Sequence, residues 1–361
     1  MSHPSWNIKD FFKSWKLPGL VAVLEGITHF GTIQGDSIAY INIVKYLRGA
    51  GNSEIFQAHF ILRPVVPALA FPLSFILSYR SAIALVNLGF IVFGTVMTYF
   101  LGREMFDEEV GSISAISFAC AVPVLAYGVA ALTDGAGYAM LVTLIYVALF
   151  KIPAEKDLRS AFLFGLLFGV AVLTKETTFI GLVFLWIYYL VNRRKSSIEN
   201  VLVVTFVCLL MSFGWSLVVG FNYVGTYGEG LEYHGVGFGG PLVNGKEFVL
   251  SIGYAYTLLL PFAFLGFFMV DRDAFRKLME VLVAAAALVV LWPTPPEGRL
   301  TFLTFPAIIP FAAYGISQAS AIMADRPVFG KLDKKYWLIL ILLAFIISSN
   351  FLTRKLYFRL I

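Results

Sequence analysis

The sequence predicts an all-α, multi-pass membrane protein of about eleven transmembrane helices, with external juxtamembrane helices between the first two. Three observations carry that expectation. Of the 361 residues, 59% are hydrophobic and 14% charged, and the mean hydropathy is +0.82, more apolar character than a soluble domain of this size can bury. Apolar runs of 15 to 23 residues recur along the chain, close to the ~20 that a helix needs to cross a ~30 Å hydrocarbon core. Basic residues also alternate between connections in a way that orients the helices. The whole chain, 1–361, reads as a single transmembrane domain with no soluble domain.

The amphipathic start MSHPSWNIKDFFKSWK leads into a first span at 17–34 without a small-residue cleavage site, so this helix is expected to remain. Further spans are expected at 81–102, 110–128, 131–150, 160–174, 178–192, 199–221, 248–270, 278–292, 300–318 and 336–352. Residues 64–79 are ambiguous. Sixteen residues reach about 24 Å as a helix, and Pro64, Pro67 and Pro72 crowd the first half. If this segment does not cross, 14 basic residues after it (Arg103 to Lys335) fall on one side and six (Lys175, Lys246, Arg299, Arg354, Lys355, Arg359) on the other. The richer side then also holds Lys9, Lys13 and Lys16, as the positive-inside rule requires. The expected orientation is a cytoplasmic amino end, with 35–80 as an external juxtamembrane loop and 223–247 as an external glycine-rich loop. The net charge of +5 is explained by this anchoring, so no nucleic acid is expected as a partner. Cys120 and Cys208 lie in apolar runs and define no disulfide framework.

Within the external loop, Ser37, Asn42, Lys45, Arg48 and Asn52 share one helical arc, away from Ile38, Ile41, Val44 and Leu47. That pattern predicts a short helix lying in the interface. Asp36 opens it, where Asp is also an ordinary helix cap. The orientation puts Asp36, His59, Arg63, Asp134, Lys175, Glu176, Glu229, His234 and Arg299 at one external membrane face, which points to a site. Asp134 opens a helix as Asp36 does, so it too has a capping alternative. Lys175 and Glu176 are adjacent and cannot face each other, so each needs another partner. The loop 223–247 interleaves eight glycines with Tyr223, Tyr227, Tyr233, Phe238, Glu229, Glu232 and His234; it reads as a lid over a sugar or as a plain connector. Its Gly235-x-Gly237-x-x-Gly240 lacks the strand of a dinucleotide fingerprint. Glu25 and His29, four apart inside the first span, support a rival reading as a proton-coupled transporter. No inverted repeat accompanies them.

Five stretches resemble motifs of the membrane-embedded C-type (GT-C) glycosyltransferases, which include protein O-mannosyltransferases and lipid A aminoarabinose transferases. GDSIAYINIVKYL resembles their first-loop Asp-x-x-x-Tyr motif, and HFILRPVVPAL their proline-rich segment in the same loop. LTDGAGYAMLVTLIYVALF resembles the second acidic motif, GLLFGVAVLTKETTFIGLVF the helix end bearing Thr-Lys-Glu, and EGRLTFLTFPAIIPFAAYGI the late Arg- and Pro-containing helix. The match spans roughly residues 1–320. It implies a GT-C-like fold and a polyprenyl (dolichyl or undecaprenyl) phosphate-sugar donor, with transfer of a hexosyl or pentosyl group to a hydroxyl of a glycan, lipid or protein. On that reading Asp36 is the general base of an inverting reaction. Arg63, Lys175 and Arg299, expected at a wet membrane face, bind the donor phosphate, although snorkelling anchors would look the same. Tyr40, His59, Asp134, Glu176, Glu229 and His234 contact sugar or acceptor. Two departures stand out: Ser37 follows Asp36 where many relatives carry a second acid, and no large carboxyl-terminal soluble domain follows the last span. No cofactor is required; a divalent cation would have Asp36 and Asp134 for ligands. An inactive scaffold of the same fold is the remaining alternative. The absence of an Asn-x-Ser/Thr sequon and the compact loops favour a prokaryotic cell membrane over the endoplasmic reticulum.

Overall fold

The computed structural model describes residues 14–33, 36–50, 59–154, 157–192, 198–220, 240–291, 298–326 and 332–360. Among them there is no strand. The described residues open with α1 (Lys16–Thr28), α2 (Ser37–Leu47) and α3 (Val65–Leu73), followed by the 27-residue α4 (Tyr79–Met105) and α5 (Glu108–Ala119). Next come α6 (Asp134–Tyr146), α7 (Leu158–Thr174), α8 (Ile180–Val191) and α9 (Ile198–Val218). The last five are α10 (Gly240–Tyr256), α11 (Leu259–Met269), α12 (Arg272–Leu291), α13 (Phe305–Asp325) and α14 (Lys334–Leu360).

Five of the described helical segments are long and apolar enough to cross a membrane: 79–105, 134–151, 198–218, 301–325 and 334–355. A sixth candidate pairs 248–256 with α11, but the two are bent by 102° at Thr257 and Leu258. The single straight span expected at 248–270 is therefore broken, and Thr257 carries a positive φ of 44° at the break. The span expected at 110–128 is interrupted too: α5 ends at Ala119, and a π-helical turn covers Val124–Gly128. In α3, nine residues rise only about 14 Å, too little for a crossing. Gly240 already belongs to α10, so the helix expected from residue 248 begins eight residues earlier.

Helix α6 is the axis of the bundle. Every residue from Asp134 to Tyr146 is buried, whereas α9 and α14 leave large apolar side chains such as Leu217, Phe206, Ile347 and Phe351 exposed. A helix apolar all round and buried all round belongs in the middle; a ring of helices with apolar outer faces belongs against lipid. Glycines allow the closest crossings. A Cβ on Gly266 of α11 would lie 1.9 Å from the Phe311 carbonyl oxygen of α13, and one on Gly315 would lie 1.9 Å from that of Phe262. Only hydrogen fits there.

Helix α2 docks on a different face from the one its polar arc suggested. Ser37, Tyr40, Ile43 and Val44 are buried, while Ile38 is 63% exposed. Ser37 thus turns inward, and Ile38 and Leu47 are left for lipid. Lys45 and Arg48 lie over aromatic rings, with the Arg48 guanidinium 4.6 Å from the Phe75 ring and its Nη1 donating to the Ser74 carbonyl at 2.7 Å. These contacts pin α2 to α3 and the start of α4.

A tie between the first and last helices accounts for Glu25 and His29. Asn350 of α14 donates to Glu25 Oε1 at 3.2 Å, and its Oδ1 lies 3.1 Å from His29 Nε2. Interhelical hydrogen bonds of this kind contribute about 0.6–2 kcal/mol in a membrane. Asn350→Leu is therefore expected to lower the melting temperature modestly and to leave turnover largely intact, since Asn350 makes no contact with the two ion pairs described below, as thermal unfolding and a transfer assay would report.

Candidate functional site: a buried double ion pair

Each part of the site starts from a local feature of the chain. Asp36 precedes α2 with helical backbone angles (φ −74°, ψ −12°), and its side chain makes no capping bond. Ser78, Asp107 and Asp157 do cap their helices, each accepting from a backbone N–H. Asp134 is likewise not a cap, since it occupies the first position inside α6, after Thr133. The capping alternative weighed for both aspartates thus loses its geometric support.

Asp134 is set by close packing. The π-helical turn Val124–Gly128 lies against the first turn of α6, and a Cβ on Gly135 would sit 1.9 Å from the Gly128 carbonyl oxygen. Asn87 of α4 donates from one amide nitrogen to the carbonyls of Ala130 and Leu132, both at 2.8 Å. The backbone before Asp134 is also stitched to the end of α1, through Gly31 N to Val129 O and Ala131 N to Thr32 O, both at 3.1 Å. We expect Gly135→Ala to cost about 1–3 kcal/mol by overpacking and to misplace Asp134; thermal unfolding and a turnover assay would read both effects.

The Lys175 side chain leaves the end of α7, where the backbone turns extended (φ −158°, ψ 120°). It runs over Gly137, whose missing side chain makes room: a Cβ there would lie 2.7 Å from Lys175 Cδ. Its Nζ donates to Asp134 Oδ1 at 2.9 Å. Next in sequence, Glu176 turns the other way and accepts both Nε and Nη2 of Arg63, a two-pronged pair. Such forks fix orientation as well as charge. Arg63 Nη1 donates to the Tyr40 hydroxyl, and Thr133 Oγ1 donates to the same oxygen at 3.2 Å. Burial pushes the Tyr40 phenol up to about 12, with Arg63 opposing, so the group remains a neutral phenol. The Phe60 ring meets Tyr40 edge-on at 5.3 Å, and Trp215 Nε1 holds the Ile61 carbonyl at 3.0 Å.

Five residues singled out from four separate sequence stretches, Tyr40, Arg63, Asp134, Lys175 and Glu176, therefore form one connected network. Its environment differs from the one expected. Arg63 is 8% exposed and Lys175 4%, so neither sits at a wet face, and each cation already has a carboxylate. Glu176 and Asp134, expected on sugar or acceptor, have Arg63 and Lys175 as partners. The side chains of His59 and Arg299 lie outside the described residues, although their backbones belong to short 3₁₀ turns at His59–Leu62 and Gly298–Thr304. The latter turn brings Phe302 to 4.8 Å from the Tyr138 ring of α6. Glu229 and His234 fall in 221–239, outside the described residues.

Among the described residues no three His, Cys, Asp or Glu side chains gather as metal ligands. Of the two aspartates offered as cation ligands, Asp134 has its Oδ1 on the Lys175 ammonium at 2.9 Å. Thr133, Asn87 and Trp215 were not anticipated from sequence. Asn87 had a readable signal, a polar side chain inside the apolar run 81–102; Thr133 and Trp215 had none.

Residues 63–216 match the sequence profile of the dolichyl-phosphate-mannose-protein mannosyltransferases, a stretch that begins at Arg63 and contains Asp134, Lys175 and Glu176. Solved structures match over nearly the whole length. ArnT from Cupriavidus metallidurans bound to undecaprenyl phosphate superposes with a TM-score of 0.60 at 14% identity, covering 94% of this chain and 72% of that one. This chain has the fold of the C-type glycosyltransferases. The archaeal oligosaccharyltransferase AglB from Archaeoglobus fulgidus, in complex with an inhibitory peptide and a dolichol-phosphate, gives a TM-score of 0.62 at 13% identity and covers 97% of this chain. The chain spans about half the length of that enzyme, 56%. No curated protein sequence matches it.

Proposed function

We propose that the protein is an integral membrane glycosyltransferase that moves a sugar from a polyprenyl-phosphate donor to an acceptor hydroxyl at the external membrane face. The observation that supports it best is the convergence of four separated motifs on one buried network of two cations, two carboxylates and a phenol. In this reading the Asp36 carboxylate takes the proton of the acceptor hydroxyl. The acceptor oxygen attacks the anomeric carbon from the face opposite the phosphate, the bond from that carbon to the phosphate oxygen breaks, and the configuration inverts. The carboxylate acts by general base catalysis. The departing phosphate gathers negative charge, which fixed cations stabilise most where water is scarce. Arg63, Lys175 and Arg299 supply those cations.

The ion pairs give Glu176 and Asp134 a positioning role. A guanidinium carries five N–H donors and an ammonium three, so a phosphate oxygen can join either cation without displacing its carboxylate. Sugar and acceptor contacts then fall to Tyr40, His59, Glu229 and His234. The eleven-span arrangement, with α1, α5, α7, α8, α11 and α12 completing crossings, accompanies this proposal. The transporter reading rested on Glu25 and His29, and their tie to Asn350 now accounts for them as a helix–helix contact.

Reconstituted protein tests the function directly: lipid-linked sugar inside proteoliposome membranes should be transferred to an added acceptor, without solute flux. Flux without transfer would sink the enzyme reading. Orientation is tested separately with thiol labelling, because Cys120 and Cys208 are buried. Ala50→Cys, on the exposed stretch after α2, should react with an impermeant reagent in intact cells, and Lys195→Cys only after permeabilisation. The opposite pattern would put the site on the cytoplasmic side.

A further inference from the structure

A second polar cluster lies about 20 Å from the network, at the other end of α8. There α8 and α12 enclose an open cavity of about 730 Å³, lined by Ile187, Val191, Arg272, Arg276, Glu280 and Val283 among others. The Glu280 side chain is 8% exposed. Its polar contacts are long: the Asn192 amide nitrogen stands 3.4 Å from each oxygen, and Arg276 Nε stands 3.9 Å away. A buried carboxylate without a short donor carries a desolvation penalty that a cationic ligand would relieve.

The rest of the lining narrows the ligand. Asp273 is occupied by Arg276 at 2.7 Å and Lys277 at 2.7 Å. Arg272 has no ion pair among the described residues. What the cavity offers is therefore two guanidiniums at the rim one helical turn apart, Arg272 and an Arg276 that also holds Asp273, and a carboxylate one turn further in. A ligand that complements it carries a phosphate and an ammonium a few ångströms apart. Val191 and Val283 are 55% and 53% exposed, so the cavity opens sideways along an apolar wall. Such an opening admits a ligand from the bilayer.

We propose that this cavity binds an aminophospholipid with a phosphoethanolamine headgroup. The phosphate rests on Arg272 and Arg276, the primary ammonium donates to Glu280, and an acyl chain follows Val191 and Val283. A primary ammonium has N–H donors for Glu280, which a trimethylated one lacks, and an anionic glycerol headgroup brings no positive charge to it. The site is independent of the glycosyltransferase reading.

Native mass spectrometry on the delipidated full chain tests this, with equimolar phosphatidylethanolamine, phosphatidylcholine and phosphatidylglycerol of identical acyl chains. Wild type should retain phosphatidylethanolamine about tenfold over the other two, the weight of one charge-assisted hydrogen bond. Glu280→Gln should erase that preference and leave phospholipid binding in place. Arg272→Gln should weaken all three lipids alike. Equal retention of the three lipids by wild type overturns the proposal, as does a preference that survives Glu280→Gln. If Glu280→Gln does not fold, the stepwise N-methylated headgroup series on wild type decides, since retention must fall as donors are lost. Displacement by soluble phosphoethanolamine at the same concentration as the lipid would overturn the assignment to a membrane lipid.

Discussion

Asp36→Asn is expected to retain wild-type expression and melting behaviour and to lose at least about a hundredfold in sugar transfer, since removing a general base commonly costs 10² to 10⁴ in rate. The amide cannot accept a proton, but it is nearly the same size. A capping role would predict the opposite, because Asn caps a helix about as well as Asp. The absence of a side-chain capping bond at Asp36 already removes helix capping as a reason for a stability loss. Near-normal turnover by this variant would transfer the base to another group, with Asp134 the first to test.

The second large effect concerns the buried pair of Lys175 and Asp134. Lys175→Ala leaves a carboxylate that is 2% exposed without its ammonium, and breaking a buried pair from one side costs about 3–5 kcal/mol. We expect a large drop in melting temperature and loss of donor binding together. The double variant Lys175→Met/Asp134→Leu should recover most of the stability, because the two desolvation penalties go as well, yet it should remain unable to bind a polyprenyl-phosphate donor. Recovery of both would leave the pair a purely structural clasp. Arg63→Ala should follow the same course through Glu176, and this replaces the expectation that these cations sit at a wet face and can be removed without a folding cost.

The difference between the two experiments follows from where each group sits. Asp36 is only half-buried at the start of α2, where a change of charge is cheap and a change of chemistry is not. Lys175 and Arg63 are inside, where charge and fold cannot be separated. Testing donor binding in the double variant is what divides the two roles.

Much of this arrangement was legible in the residues themselves. Composition and the recurrence of apolar runs determined the class, because continuous apolar runs of this length cross lipid as helices, whereas barrel strands alternate apolar and polar residues. The adjacency of Lys175 and Glu176 determined that each had to find a partner elsewhere. The basic-residue asymmetry put Arg63 and Asp134 on one face, and the resemblance of their motifs to the C-type glycosyltransferases added Tyr40. Which cation met which carboxylate was decided by tertiary structure. That choice depends on the extended turn at Lys175 and on two glycines, Gly135 and Gly137, that let a π-helical turn and a lysine stem approach α6 closely. Sequence spacing carries no information about such contacts between helices far apart in the chain. The break at Thr257 and the inward turn of Ser37 belong to the same kind. Hydropathy averages over a window and cannot see a 102° bend, and a helical wheel shows which residues share a face but not whether that face meets protein or lipid.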